Sequence, residues 1–189
     1  MTKEQELRQA VVEYGKRLVE TGLVQGTWGN IAVRLDDNYM LVTPSGLDYL
    51  HLTPDDVVKV NLENLEYDGA RKPTSEKKMH RAILNARPDA MAVIHTHSVD
   101  CGVFAAAGVS LPAATEKMKT LVGGEMRCAP HALPSTGRLS DVAVKALDGR
   151  NGCLLQNHGV ICCGKDLANA FAICEAAEEA AGKYLEEHV

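Results

Sequence analysis

Apolar positions along the chain alternate between two periods. Leu7, Val11, Tyr14 and Leu18 recur at helical spacing, which predicts an amphipathic helix over residues 3–21, closed by Gly22. The segment Gly26-Thr27-Trp28-Gly29-Asn30 is too rich in glycine to continue it. Residues 31–35 then alternate as a strand, Asp36-Asp37-Asn38 turns, and residues 39–43 return as a hairpin partner. Pro44-Ser45-Gly46 breaks that strand into a loop, and residues 57–60 read as a further short strand. Met79, Ala82, Ile83 and Ala86 predict a second helix, begun near Ser75 and ended before Pro88.

The second half continues the mixture. Residues 92–95 read as a buried strand, and a helix of small residues follows near 98–107. Residues 125–128 are a candidate strand, and Val142, Ala146 and Leu147 suit a helix stopping at Gly149. Two apolar strands, 153–156 and 160–163, flank Asn157-His158-Gly159. Leu167, Ala170, Phe171, Cys174, Ala177 and Ala181 line a long terminal helix. No internal repeat or linker interrupts the pattern, so the reading is one α/β domain over residues 1–189. Its sheet contains hairpins, which excludes a simple doubly wound fold.

Composition narrows the class. Of 189 residues, 46% are hydrophobic and 24% charged, ordinary values for a globular chain that can bury its own core. No stretch approaches the roughly 18 apolar residues of a membrane helix. The start has no apolar run of the signal-peptide kind, so a cytoplasmic protein is expected. A formal charge of −5 without a basic stripe argues against nucleic acid as a partner. The six cysteines form no C-x-x-C pair and sit mostly in apolar runs, as buried reduced thiols do.

His95-Thr96-His97 is the sharpest chemical signal. On a strand, residues two apart project to one face, so both imidazoles can address one ion at the strand's end. His158, in a bend between two strands, is either a third ligand or a hydrogen-bonding turn residue. Three imidazoles would leave a fourth zinc position open to substrate or water, the arrangement of a catalytic site. His51, His80, His131 and His188 suit the role less well. His80 reads as lying on a helix face beside charged neighbours, and nothing local orients His131.

Lys72-Pro73-Thr74-Ser75-Glu76 admits two readings. It is ordinary helix-start chemistry, with Ser75 or Thr74 as cap and Glu76 favoured by the dipole. The same free amides and hydroxyls also suit a phosphate. Gly26–Asn30 and Thr43–Gly46 offer further amides and hydroxyls. An acidic protein needs such local donors to hold an anion.

Together these segments resemble the class II aldolase family. The motifs are Gly26-Thr27-Trp28-Gly29-Asn30-Ile31-Ala32-Val33-Arg34, Thr43-Pro44-Ser45-Gly46, Pro73-Thr74-Ser75-Glu76, His95-Thr96-His97 and Asn157-His158-Gly159, in family order over essentially the whole chain. The resemblance implies a three-layer α/β/α sandwich around a mainly antiparallel sheet, assembled as a homotetramer with sites at subunit interfaces. It implies that His95, His97 and His158 bind Zn2+, that Glu76 is the acid/base, and that Thr27, Asn30, Ser45, Gly46, Thr74 and Ser75 hold the phosphate of a sugar substrate. The implied reaction is cleavage of a ketose 1-phosphate, such as L-fuculose 1-phosphate or a deoxypentulose phosphate, to dihydroxyacetone phosphate and an aldehyde. A 4-epimerase and a sugar-acid phosphate decarboxylase or dehydratase share the fold and stand as alternatives. In one branch of the family a tyrosine follows the segment that reads here Leu111-Pro112-Ala113-Ala114-Thr115; this chain has Glu116-Lys117.

Overall fold

Thr2 opens the first helix, α1 (Lys3–Glu20). Its hydroxyl accepts from the Gln5 amide while the Gln5 side chain accepts from the Thr2 amide, a reciprocal pair that satisfies two otherwise free donors. A computed structural model describes residues 1–188. After α1 come β1 (Asn30–Arg34), β2 (Tyr39–Val42), β3 (Val58–Asn61), α2 (Lys77–Ala86), β4 (Ala92–Thr96) and α3 (Val99–Ala107). The remainder is α4 (Glu116–Val122), β5 (Cys128–Ala129), α5 (Gly137–Ala146), β6 (Gly152–Leu155), β7 (Gly159–Gly164) and α6 (Leu167–His188).

The seven strands form one sheet in the order β3-β2-β1-β4-β7-β6-β5. Every neighbouring pair is antiparallel except β5 with β6. Alternation along the strands feeds two cores. Ala92 and Ile94 of β4 join the core that α1, α3, α4 and α6 close from one side. Val93 faces the other core, closed by α2 and α5. This is the expected three-layer α/β/α sandwich around a mainly antiparallel sheet.

The local differences from the sequence reading have simple causes. Helix α2 starts at Lys77 rather than near Ser75, because Glu76 itself is the cap and its side chain is turned away from the helix start. The candidate strand over 125–128 shrinks to Cys128–Ala129, while Met126 only bridges Leu111. Helix α4 was not expected: Thr115 caps it by accepting from the Met118 amide, and Met118 and Val122 bury its inner face. Among the described residues no helix is long and apolar enough to cross a membrane. All six cysteines are free thiols and only Cys128 is partly exposed.

Candidate active site

The start of β1, the end of β4 and the start of β7 lie side by side, next to the N-terminal end of α2. Two glycines let them do so. A Cβ on Gly29 would lie 2.6 Å from the His95 carbonyl oxygen, and its φ of +81° is one that side chains disfavour. A Cβ on Gly159 would lie 2.5 Å from the Thr96 carbonyl oxygen and 3.0 Å from Cε1 of His95. Between β6 and β7 the chain reverses through Asn157 at φ +57°, a left-handed conformation that asparagine tolerates better than most residues. The turn is closed by the His158 amide donating to the Leu155 carbonyl at 3.0 Å.

This backbone brings three imidazoles from two distant segments to one point. Ring centroids lie 4.6 Å apart for His95 and His97, 4.8 Å for His95 and His158, and 5.5 Å for His97 and His158. One nitrogen from each ring falls within 4.8 Å of the others. Nδ1 of His95 donates to the Val160 carbonyl oxygen at 2.8 Å, which leaves the lone pair on Nε2, facing the cluster. Nε2 of His97 lies 2.9 Å from that same atom. Burial, then the neighbouring rings of His97 and His158, hold the His95 imidazole well below the usual histidine range. Burial and then His158 lower His97 as well. Neutral rings are what metal ligation requires.

Glu76 completes the cluster. Its Oε2 lies 3.1 Å from Nε2 of His95 and accepts from the side-chain amide of Asn30 at 3.1 Å. Its Oε1 lies 3.3 Å from Nε2 of His158 and has no hydrogen-bond partner, although the residue is only 5% exposed. A buried carboxylate oxygen left open beside three inward-facing imidazoles fits a divalent cation. Three nitrogens with an optional carboxylate match the donor preference of zinc among common ions.

A cavity of about 460 Å³ opens from this cluster. Thr27, Asn30, Ser45, Gly46, Thr74 and Ser75 all line it, with Glu76, His97 and His158 at its inner end. His95 lies beneath, fully buried. Two loops reach the cavity together because they are stapled to each other: Pro44 bridges Pro73, the Thr74 amide donates to the Thr43 carbonyl at 3.0 Å, and the Ser45 amide donates to the Lys72 carbonyl at 2.9 Å. Thr74 also accepts from the Glu76 amide at 3.2 Å, tying the polar cradle to the carboxylate.

The structure corrects the sequence reading of His80. His80 is not on a charged helix face but fully buried, its Nε2 against Oδ1 of Asn30. The Asn30 side chain lines the cavity and also lies between His80 and Glu76, a pair of contacts the sequence did not suggest. His131 is oriented after all, with its Nδ1 3.2 Å from the Gln156 carbonyl oxygen, but it is exposed and outside the cavity. Sequence reasoning missed Trp28, Pro134 and Asn157 as cavity walls. Trp28 is 62% exposed, with its ring centroid 5.8 Å from that of His97; a bulky aromatic in a glycine-rich turn was the available signal.

The model of the class II aldolase and adducin N-terminal domain family matches residues 9–185. The 5-methylthioribulose-1-phosphate/5-deoxyribulose-1-phosphate aldolase of Rhodospirillum rubrum is 38% identical over 178 residues, covering 94% of this chain and 80% of its own. The 5-deoxy-D-ribulose 1-phosphate aldolase of Bacillus thuringiensis serovar kurstaki is 36% identical over 181 residues, covering 95% and 84%. A solved L-fuculose 1-phosphate aldolase superposes with a TM-score of 0.91 at 36% identity, over 96% of this chain and 86% of that one. The chain therefore belongs to the class II aldolase and adducin N-terminal domain family, and it is an aldolase, a lyase, of that family.

Proposed function

We propose that this protein is a zinc-dependent aldolase that cleaves a ketose 1-phosphate, a deoxypentulose 1-phosphate or L-fuculose 1-phosphate, to dihydroxyacetone phosphate and an aldehyde. The observation that carries the reading is the buried carboxylate of Glu76 beside His95, His97 and His158, at the inner end of a cavity walled by hydroxyls and loop amides. A Zn2+ ion held by the three histidines would supply the positive charge that stabilises the electron pair left when a carbon–carbon bond next to a carbonyl breaks.

The chain's own groups supply the rest. Thr27, Asn30, Ser45, Gly46, Thr74 and Ser75 would anchor the phosphate, which fixes the distance from that end of the substrate to the histidines. Glu76 then delivers a proton to the three-carbon fragment after cleavage, and takes one from it in the synthetic direction. Its Oε1 is the oxygen for that transfer, because Oε2 is already tied to Asn30. The relatives named for 5-deoxyribulose 1-phosphate favour a small aldehyde fragment. We assign the working form as a homotetramer in the cytoplasm.

The test is a product assay. Metal-loaded protein is given a panel of ketose 1-phosphates and 5-phosphates, and dihydroxyacetone phosphate is read by coupled reduction. Release of dihydroxyacetone phosphate from a ketose 1-phosphate supports the proposal. An isomeric pentulose phosphate, or release of carbon dioxide, would overturn it. Glu76→Gln is expected to keep its metal and lose turnover by about two orders of magnitude or more.

A further inference from the structure

His80 follows Glu76 by one helical turn. Its amide donates to the Glu76 carbonyl at 3.2 Å, so the two side chains leave the same face of the chain. The ring is fully buried, on a helix that also buries Met79, Ile83 and Leu84. Burial pushes the imidazole down to about 3, so it stays neutral with a single N–H. Nε2 meets Oδ1 of Asn30, an acceptor only, and Nδ1 has no partner. The hydrogen therefore sits on Nε2.

That one hydrogen decides which way the Asn30 amide faces. With its oxygen held by His80, the NH2 group points to Oε2 of Glu76 at 3.1 Å. Reversed, the amide would set its oxygen against the carboxylate and its NH2 against the His80 N–H, losing both bonds. The fold by itself gives no reason for histidine here. A leucine would fill the same core without stranding Nδ1, a loss of about 1–3 kcal/mol for a buried unpaired group.

We propose that His80 is a positioning residue for Glu76: through Asn30 it holds Oε2 of the carboxylate and leaves Oε1 unpaired beside His158 in the histidine cluster. The proposal rests on the aldolase reading for what Glu76 does, and on the contacts alone for how Glu76 is held. It gives a fully buried core histidine a part in the reaction rate without any contact with substrate.

The experiment uses the metal-loaded full chain. His80→Leu is expected to lower kcat about 10- to 100-fold, because a misplaced acid/base loses its near-attack geometry. KM for the ketose phosphate should stay within about twofold and zinc content should not change. His80→Gln, whose amide can still donate to Asn30, should recover most of the rate. In an Asn30→Ala background, His80→Leu should cost nothing further. Wild-type kcat in folded His80→Leu, or losses that multiply in the double variant, would overturn the proposal. Nitrogen-15 spectra of the wild-type ring test the contact without turnover: Nε2–H is expected at His80, and an Nδ1–H tautomer contradicts the tie even if His80→Leu fails to fold. Absence of any aldol cleavage in the wild type, with the Nε2–H tautomer present, would instead count against the aldolase reading.

Discussion

Nδ1 of His95 donates to the backbone carbonyl of Val160 across 2.8 Å, tying a ring on β4 to the strand beside it. A backbone acceptor cannot be lost by side-chain substitution, and it fixes both the tautomer and the plane of the ring. The lone pair of Nε2 is thus aimed at His97 and Glu76 by the sheet itself. The site's geometry follows from the β4–β7 register, in which His95 pairs with Ile161 and Thr96 with Val160.

Gly159→Ala tests that dependence. The added Cβ would meet the Thr96 carbonyl oxygen at 2.5 Å and His95 Cε1 at 3.0 Å, so β7 must move away from β4. Stability is expected to fall by roughly 1–3 kcal/mol, the usual range for overpacking. Zinc affinity is expected to fall with it, since the same shift turns the His95 ring. Urea unfolding and a competitive zinc titration measure the two. Wild-type metal affinity in this variant would separate the site from the strand register.

Ser75→Ala addresses the phosphate end of the cavity. Ser75 lines the cavity beside Thr74, whose hydroxyl is already used by the Glu76 amide. Removing a hydrogen bond to a charged group costs about 1.5–3 kcal/mol, roughly 10- to 100-fold in KM. Steady-state kinetics should therefore show KM rising for phosphorylated ketoses and scarcely moving for the free sugars. An equal effect on both would place the phosphate elsewhere.

Much of this site was legible in the sequence because local rules placed it. Period two on a strand put His95 and His97 on one face, while the part of Glu76 in the site came from the resemblance, its local pattern reading equally as an ordinary helix start. What stayed hidden depended on contacts between segments far apart. His80 reads as a surface residue from its neighbours Lys77, Lys78 and Arg81, yet its position four residues after Glu76 turns it inward against Asn30, fifty residues away. That Asn30 also donates to Glu76 was hidden because the sequence gives its amide but not the carboxylate that the fold sets beside it. Helix α4 escaped notice because its seven residues offer barely two turns of periodicity after Pro112. Element order and alternating strands gave a single α/β domain with hairpins in its sheet; the three layers came from the resemblance.

Acid should loosen the metal-free protein in a defined window. His80 titrates at about 3 when folded, against about 6.5 for a free histidine, so the unfolded chain binds the extra proton between those values. Its contribution to stability is complete above about pH 6.5 and is lost progressively as pH falls toward 3. Urea midpoints of wild type and His80→Gln across that range are expected to converge as the pH drops, because glutamine does not titrate. Parallel curves for the two proteins would mean that His80 is not held neutral by the fold.

The most direct measurement is zinc K-edge absorption on the purified chain, combined with elemental analysis. One zinc per chain is expected, with three imidazole nitrogens at about 2.0–2.1 Å, and His97→Ala should abolish stoichiometric binding. An oxygen-only shell, or full zinc occupancy in His97→Ala, would contradict the assignment of His95, His97 and His158 as the ligands.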